Sequence, residues 1–207
     1  MTDLFIRSFL EKRFSQVITN KRATILEAAK RAFSLFGYKG TSVAHVAKLA
    51  GIGKGTIYTE FKNKEKMLEA VMDGILQDLG NIFERVKQKD ERSILKLHRA
   101  LYDTLHYRKE HQLLMHLTEE VSVHGTKEAV SAMQKVEDFI ISALEQAIAQ
   151  GVEKGRLQVM DAEVTAFTIY KLYIAFIVDW EEKKQPLTEE ELFQVFENHI
   201  FNGIVVR

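Results

Sequence analysis

Thr41-Ser-Val-Ala-His-Val-Ala-Lys-Leu-Ala-Gly-Ile-Gly-Lys-Gly-Thr-Ile-Tyr-Thr-Glu-Phe61 holds two short amphipathic segments joined at a glycine. Val43, Val46, Ala47 and Ala50 recur at spacings of three and four, which predicts one inward helix face. Thr41 or Ser42 supplies the N-cap hydroxyl of that helix and Gly51 ends it. A second short helix follows from about Gly53 to Glu60. At about 100° per residue, Ile57 and Phe61 share its inward face, and Thr59 lies opposite with Gly55 and Thr56 beside it. Two short helices meeting at a glycine elbow, with small residues packed in the bend, are the arrangement of helix-turn-helix DNA binders.

The outward face of the second helix is small and hydroxylated. Glycine removes a side chain, and threonine offers a hydroxyl and a methyl, so such a face can enter a major groove closely. Thr56 and Thr59 are the base-edge candidates. Lys54 and Tyr58 project from the flank of that face, where phosphate lies. Thr41 at one helix start, and Asn63 with Lys64 at another, bring free backbone amides and a cation to where a phosphate oxygen can bind.

Working outward, Asn20 to Phe36 reads as a helix with Ile25, Ala29, Ala32, Phe33 and Phe36 on one face and Gly37 as its stop. Upstream, Ile6, Leu10, Phe14 and Val17 also keep helical spacing, and that segment either extends the helix or forms an arm. Asn63 caps a fourth helix reaching about Val86 or Lys89. Further helices are predicted near Asp90 to Lys109, Glu110 to Val123, Lys127 to Glu153, Asp161 to Lys183 and Thr188 to Asn202. Thr188 and Glu191 have capping-box spacing. One proline, Pro186, and no strand alternation make the fold all-α with about nine helices: a three-helix head on a larger helical body.

Composition agrees. The chain has 207 residues, 46% of them hydrophobic and 28% charged, and no cysteine, which excludes a disulfide framework and a thiolate zinc site. The apolar run Val164 to Val178 carries Lys171 and falls short of the roughly 20 residues a membrane helix needs. Charge interrupts the N-terminus before a signal-peptide core builds up, so the expected location is the cytoplasm, with no membrane partner. The net charge of zero conceals a division: residues 1–68 hold 13 Lys or Arg against 5 Asp or Glu, whereas 69–207 hold 16 against 24. A basic head on an acidic body fits a head that meets a polyanion. We take 1–68 as the DNA-binding domain, with 1–19 as an N-terminal extension, and 69–207 as the effector-binding and dimerisation domain.

The stretch Ile25 to Leu68, ILEAAKRAFSLFGYKGTSVAHVAKLAGIGKGTIYTEFKNKEKML, resembles the DNA-binding domain of the TetR-like transcriptional regulators almost without gaps. Its specific pieces are Phe36-Gly37-Tyr38, Thr41-Ser42, Ala50-Gly51-Ile52, Lys54-Gly55-Thr56-Ile57-Tyr58 and Phe61-Lys62-Asn63-Lys64-Glu65. The resemblance implies a homodimer whose two recognition helices read a palindromic double-stranded operator, with a small-molecule effector bound in the larger domain. DNA contacts carry over to Thr41, Ser42, Lys54, Gly55, Thr56, Tyr58, Thr59 and Lys64. Glu60 departs from the pattern, standing where the family often has histidine or another neutral or basic polar residue. Its carboxylate either points away from phosphate or accepts from a cytosine amino group.

Beyond residue 90, aromatic side chains crowd the helix faces. Such a stripe is commonly plain core, but the resemblance implies a cavity among these helices. Tyr102, Phe139, Tyr170 and Tyr173 are the pocket candidates for a largely apolar effector. Lys171 either meets an acidic ligand group, snorkels, or forms an internal ion pair. Five histidines between His98 and His124 lack metal-ligand spacing; Asp103 with His106 and Glu120 with His124 are the nearest pairs, so no metal or cofactor is expected. The helix from Asp161 to Lys183 is apolar nearly all round, so it is expected to bury one side in its own chain and another against a partner. Phe167, Ile174, Val178 and Phe196 are the interface candidates. The reading is a ligand-responsive regulator, a repressor rather than an enzyme. A constitutive DNA binder, unmoved by metabolites, and an all-α enzyme, betrayed by turnover in the body, are the rivals.

Overall fold

A computed structural model describes the backbone of residues 2–205 and the side chains of residues 21–205. Nine α-helices are found among the described residues: α1 (Thr2–Gly40), α2 (Val43–Ala50), α3 (Lys54–Glu60), α4 (Lys64–Lys87), α5 (Ser93–Glu110), α6 (Gln112–Val123), α7 (Lys127–Glu153), α8 (Ala162–Ile174) and α9 (Glu189–His199). No helix among them is long and apolar enough to cross a membrane. The backbone upstream of Asn20 continues α1; the faces of Ile6, Leu10, Phe14 and Val17 lie outside the described side chains.

The chain forms two compact units, Met1–Gly74 with Gln112–Ala132, and Ile75–His111 with Met133–Arg207. In the first, α1 packs on α2 and on α6. Ile25, Ala29, Ala32, Phe33, Val46, Ile57, Phe61, Leu113, Leu114 and Leu117 are all buried there. Phe36 is corrected. It is 51% exposed, its ring 5.3 Å from that of His45, and the chain leaves the helical conformation just after it, at Gly37 (φ 66°, ψ 177°). Tyr38 instead turns inward, 5.9 Å from the Phe33 ring.

In the second unit, α5 packs on α8 and α9. His98, Tyr173, Phe193, Phe196 and Phe201 form a buried aromatic cluster. The single helix expected over Asp161 to Lys183 is instead α8 followed by a π-helical run, Ala175–Trp180. The wider turn buries Ile177 while Phe176 faces both Trp180 and Phe196. Thr188 and Glu191 form the capping box at the start of α9.

Candidate nucleic-acid interface

The elbow between α2 and α3 is built from backbone hydrogen bonds. Gly51 takes the left-handed conformation at φ 66° and ψ 28°, which glycine adopts at no steric cost. Ile52 N–H then donates to the Ala47 carbonyl at 3.1 Å, closing the helix end. Ser42, not Thr41, is the N-cap of α2: its Oγ accepts from His45 N–H at 3.2 Å, and His45 Nδ1 accepts from Ser42 N–H at 3.4 Å. At the far end of α3, Arg22 donates to the Glu60 carbonyl at 3.3 Å and lies 4.3 Å over the Phe61 ring. Together with buried Ile57 and Phe61, these contacts fix how far α3 is rotated about its axis.

That rotation presents Lys54, Gly55, Tyr58 and Thr59 to solvent and leaves Thr56 half-buried. A Cβ added at Gly53 or Gly55 would meet nothing within 4 Å, so neither glycine is demanded by packing within the chain. Thr59 Oγ1 donates to the Thr56 carbonyl at 2.7 Å. Its hydroxyl therefore faces outward as an acceptor, beside its methyl. Asn63 caps α4, its Oδ1 accepting from Lys66 N–H at 2.9 Å.

Two expected phosphate contacts have internal work. Thr41 is 3% exposed, and its hydroxyl lies 2.7 Å from the Gly37 carbonyl and 3.0 Å from that of Ala32. Its backbone N–H donates to the Tyr38 carbonyl at 3.2 Å, which corrects the expectation of a free amide for phosphate at Thr41. Lys64 donates to the Tyr38 carbonyl at 2.7 Å and the Thr41 carbonyl at 2.9 Å, with its ammonium 4.0 Å over the Tyr38 ring. Desolvation pulls its pKa below the ordinary lysine value. Two of its three N–H groups are thus spent on the α1–α2 turn. Burial first, and then Glu128 beside it, push the Tyr38 hydroxyl up to about 12.

Glu120, weighed in the sequence only as a partner for His124, holds a turn together. From α6 its Oε2 accepts Lys39 N–H at 3.0 Å, and its Oε1 accepts the Thr126 hydroxyl at 2.7 Å. This 6% exposed carboxylate closes the turn after Gly37. Only its interruption of an otherwise apolar helix face could have signalled it.

In the second unit Tyr102 and Tyr173 both meet His98, whereas Phe139 meets Phe83. Tyr173 and Tyr170 are buried, and Tyr173 shares a 2.5 Å hydrogen bond with His98 Nδ1. Tyr102 stacks on His98 at 5.9 Å. Lys171 is exposed and pairs with Glu137 at 2.6 Å, the ion-pair alternative rather than the ligand contact. Phe139 lies apart, edge-on to Phe83, on the wall of a hollow with Gly80 and Ser142. Of the interface residues, Phe167 is 48% exposed and Ile174 and Val178 are half-buried. Phe196 is corrected: at 1% exposure it is core, 3.9 Å from the Tyr173 ring.

The comparisons with known proteins agree with this geometry. Residues 25–71 match the family model described as bacterial regulatory proteins, tetR family. The chain is 37% identical over 185 residues, 89% of its length and 97% of the relative's, to the uncharacterized HTH-type transcriptional regulator YhgD of Bacillus subtilis (strain 168). The solved SmeT–triclosan complex matches with a TM-score of 0.68 at 16% identity, covering 90% of this chain and 92% of that one. FadR from Bacillus subtilis, in complex with stearoyl-CoA, matches with a TM-score of 0.61 at 22% identity, covering 84% and 94%. The chain belongs to the tetR family of bacterial regulatory proteins. It is a helix-turn-helix transcriptional regulator, from a family of regulators and not of enzymes.

Proposed function

We propose that the chain is a ligand-responsive repressor, binding a palindromic double-stranded operator as a homodimer and leaving it when a small effector binds, in the cytoplasm. The observation that carries this reading is the division of α3: Ile57 and Phe61 buried, Lys54, Gly55, Tyr58 and Thr59 outward. Thr56 and Thr59 read base edges, while Ser42, Lys54 and Tyr58 hold phosphate, with the third N–H of Lys64 as an auxiliary donor. Residues 1–68 serve as the DNA-binding head and 69–207 as the effector and dimer region.

Dimerisation is supported by α8, whose outer side carries Val164 at 57% and Phe167 at 48% exposure, an apolar face that a partner helix would cover. Effector control is supported by analogy with FadR and SmeT, whose structures hold stearoyl-CoA and triclosan. An effector shifts the two conformations only through its differential affinity for them, with α4 as the lever.

Fluorescence anisotropy with labelled duplexes tests the reading. Lys54→Gln and Tyr58→Ala should weaken binding to all sequences alike, and loss of the lysine should lower the salt slope by about one counterion per subunit. Unchanged affinity of both variants across a salt titration would refute the placement of α3 on DNA.

A further inference from the structure

A cavity of about 210 Å³ in the second unit is bounded by the end of α4, the start of α5 and the end of α7. Its floor is apolar. Val86, Leu97 and Ala100 are buried there, and Phe83 and Ala147 add to the wall. Its mouth is cationic: Lys87, Lys96, Lys154 and Arg156 line it against one carboxylate, Glu84. This concentration of positive charge falls within 69–207, where 24 acidic residues outnumber 16 basic ones. Glu84 is already paired with Lys87 at 3.3 Å. Among the described residues, Lys154 and Arg156 pair with no carboxylate.

The backbone that carries these two cations is rigidly held. Gly155 ends α7 at φ 63°. Arg156 N–H donates to the Gly151 carbonyl at 2.9 Å, and Gln158 N–H donates to that of Ile204 at 2.7 Å. Leu157 lies so close to Gly151 that a Cβ there would sit 2.6 Å from Leu157 Cδ1. The hollow that contains Phe139 and Gly80 shares Phe83, Glu84, Ala143 and Gln146 with the cavity, and no cation lines it.

We propose that this cavity binds an amphipathic anion, its apolar body against Leu97, Ala100 and Phe83 and its carboxylate or phosphate held by Lys96, Lys154 and Arg156. The floor rewards a hydrocarbon chain by removing it from water. Charge-assisted hydrogen bonds at the mouth reward only a negative head. A neutral chain leaves Lys154 and Arg156 without a carboxylate, and a bare anion gains nothing from the floor. A tail longer than the cavity continues past Phe83 toward Phe139. Any regulatory consequence rests on the effector reading above, whereas binding itself is measured without DNA.

The test is isothermal titration of the full chain with decanoate, decyl phosphate, decanol and inorganic phosphate. Saturable binding at one site per protomer is expected for decanoate, decyl phosphate or both, and the tighter of the two names the head group. Decanol and inorganic phosphate should bind about tenfold more weakly or not at all, and K154Q/R156Q should cost about tenfold. Ala147→Phe, which fills the cavity from an exposed position, should block the anion while preserving the melting profile. Failure of both amphiphilic anions to saturate, decanol binding as tightly, or an unaffected double variant would each overturn the proposal. A chain that binds DNA selectively but none of these anions loses the cavity and keeps the regulator reading. A chain that binds decanoate but selects no DNA sequence does the reverse.

Discussion

Gly55 stands on the outward face of a helix where its missing side chain makes room for no atom of its own chain. Alanine is the better helix former by about 1 kcal/mol, so Gly55→Ala should leave the melting temperature unchanged or raised. The same methyl should cost operator affinity at least about tenfold by holding the groove away; a variant both as stable and as tightly bound would remove Gly55 from the interface. A second residue couples the fold to pH. Burial, and then Arg99, push His98 down to about 4, so it is neutral inside its aromatic cluster, whereas the unfolded chain takes up the proton near 6.5. Its contribution is complete above about pH 6.5 and is lost as the pH falls toward 4, at up to about 1.4 kcal/mol per pH unit. Urea melts at pH 7, 6 and 5 should show that slope, and His98→Gln should flatten it. The inward positions of Ile57 and Phe61 and the outward positions of Lys54 and Tyr58 were legible because helical periodicity alone sorts one from the other. Those of Thr41 and Lys64 were not, because the carbonyls of Ala32, Gly37 and Tyr38 that they serve come together only after the chain has turned at Gly37.

Between elements, the junction of α1 with α2 depends on a contact to a residue 81 positions further along the chain. Glu120 of α6 accepts the Lys39 backbone N–H at that junction and the Thr126 hydroxyl from the connection between α6 and α7. Removing a buried acceptor costs about 1 to 3 kcal/mol for the donors left behind. Glu120→Ala should therefore lower the unfolding free energy by that amount, and Glu120→Gln by less, since its amide oxygen still accepts. Equal stability of wild type and Glu120→Ala in urea would dismiss the clamp. The existence of α6 was legible from Leu113, Leu114 and Leu117, but its packing against α1 was not, since periodicity shows that a face is buried without showing what covers it. The π-helical run after Ile174 was hidden for a similar reason: an apolar run with no polar face gives periodicity nothing to measure.

At the scale of the whole molecule, the proposed dimer links assembly to recognition, because one head would supply one half-site and pairing two would gain from their linkage. A glutamate at exposed Phe167 should yield folded monomers by sedimentation with operator binding lost, whereas Phe196→Glu buries an unpaired charge and should unfold its unit. Phe167→Glu remaining dimeric would defeat the α8 interface. The apolar excess of α8 was legible in sequence, but the inward turn of Phe196 was not, since α9 offers two apolar sides and only the Tyr173 cluster decides between them. The central claim is that the outer face of α3 reads a two-fold operator, and selection from a random duplex pool tests it most directly. The wild-type protein is expected to enrich a palindrome with half-site centres one helical turn of about 10 base pairs, or a multiple of it, apart. Thr56→Ala and Thr59→Ala should each change the preference at particular base pairs, by about 1 to 3 kcal/mol. A pool with no enriched motif, or one motif common to wild type and both variants, would contradict it.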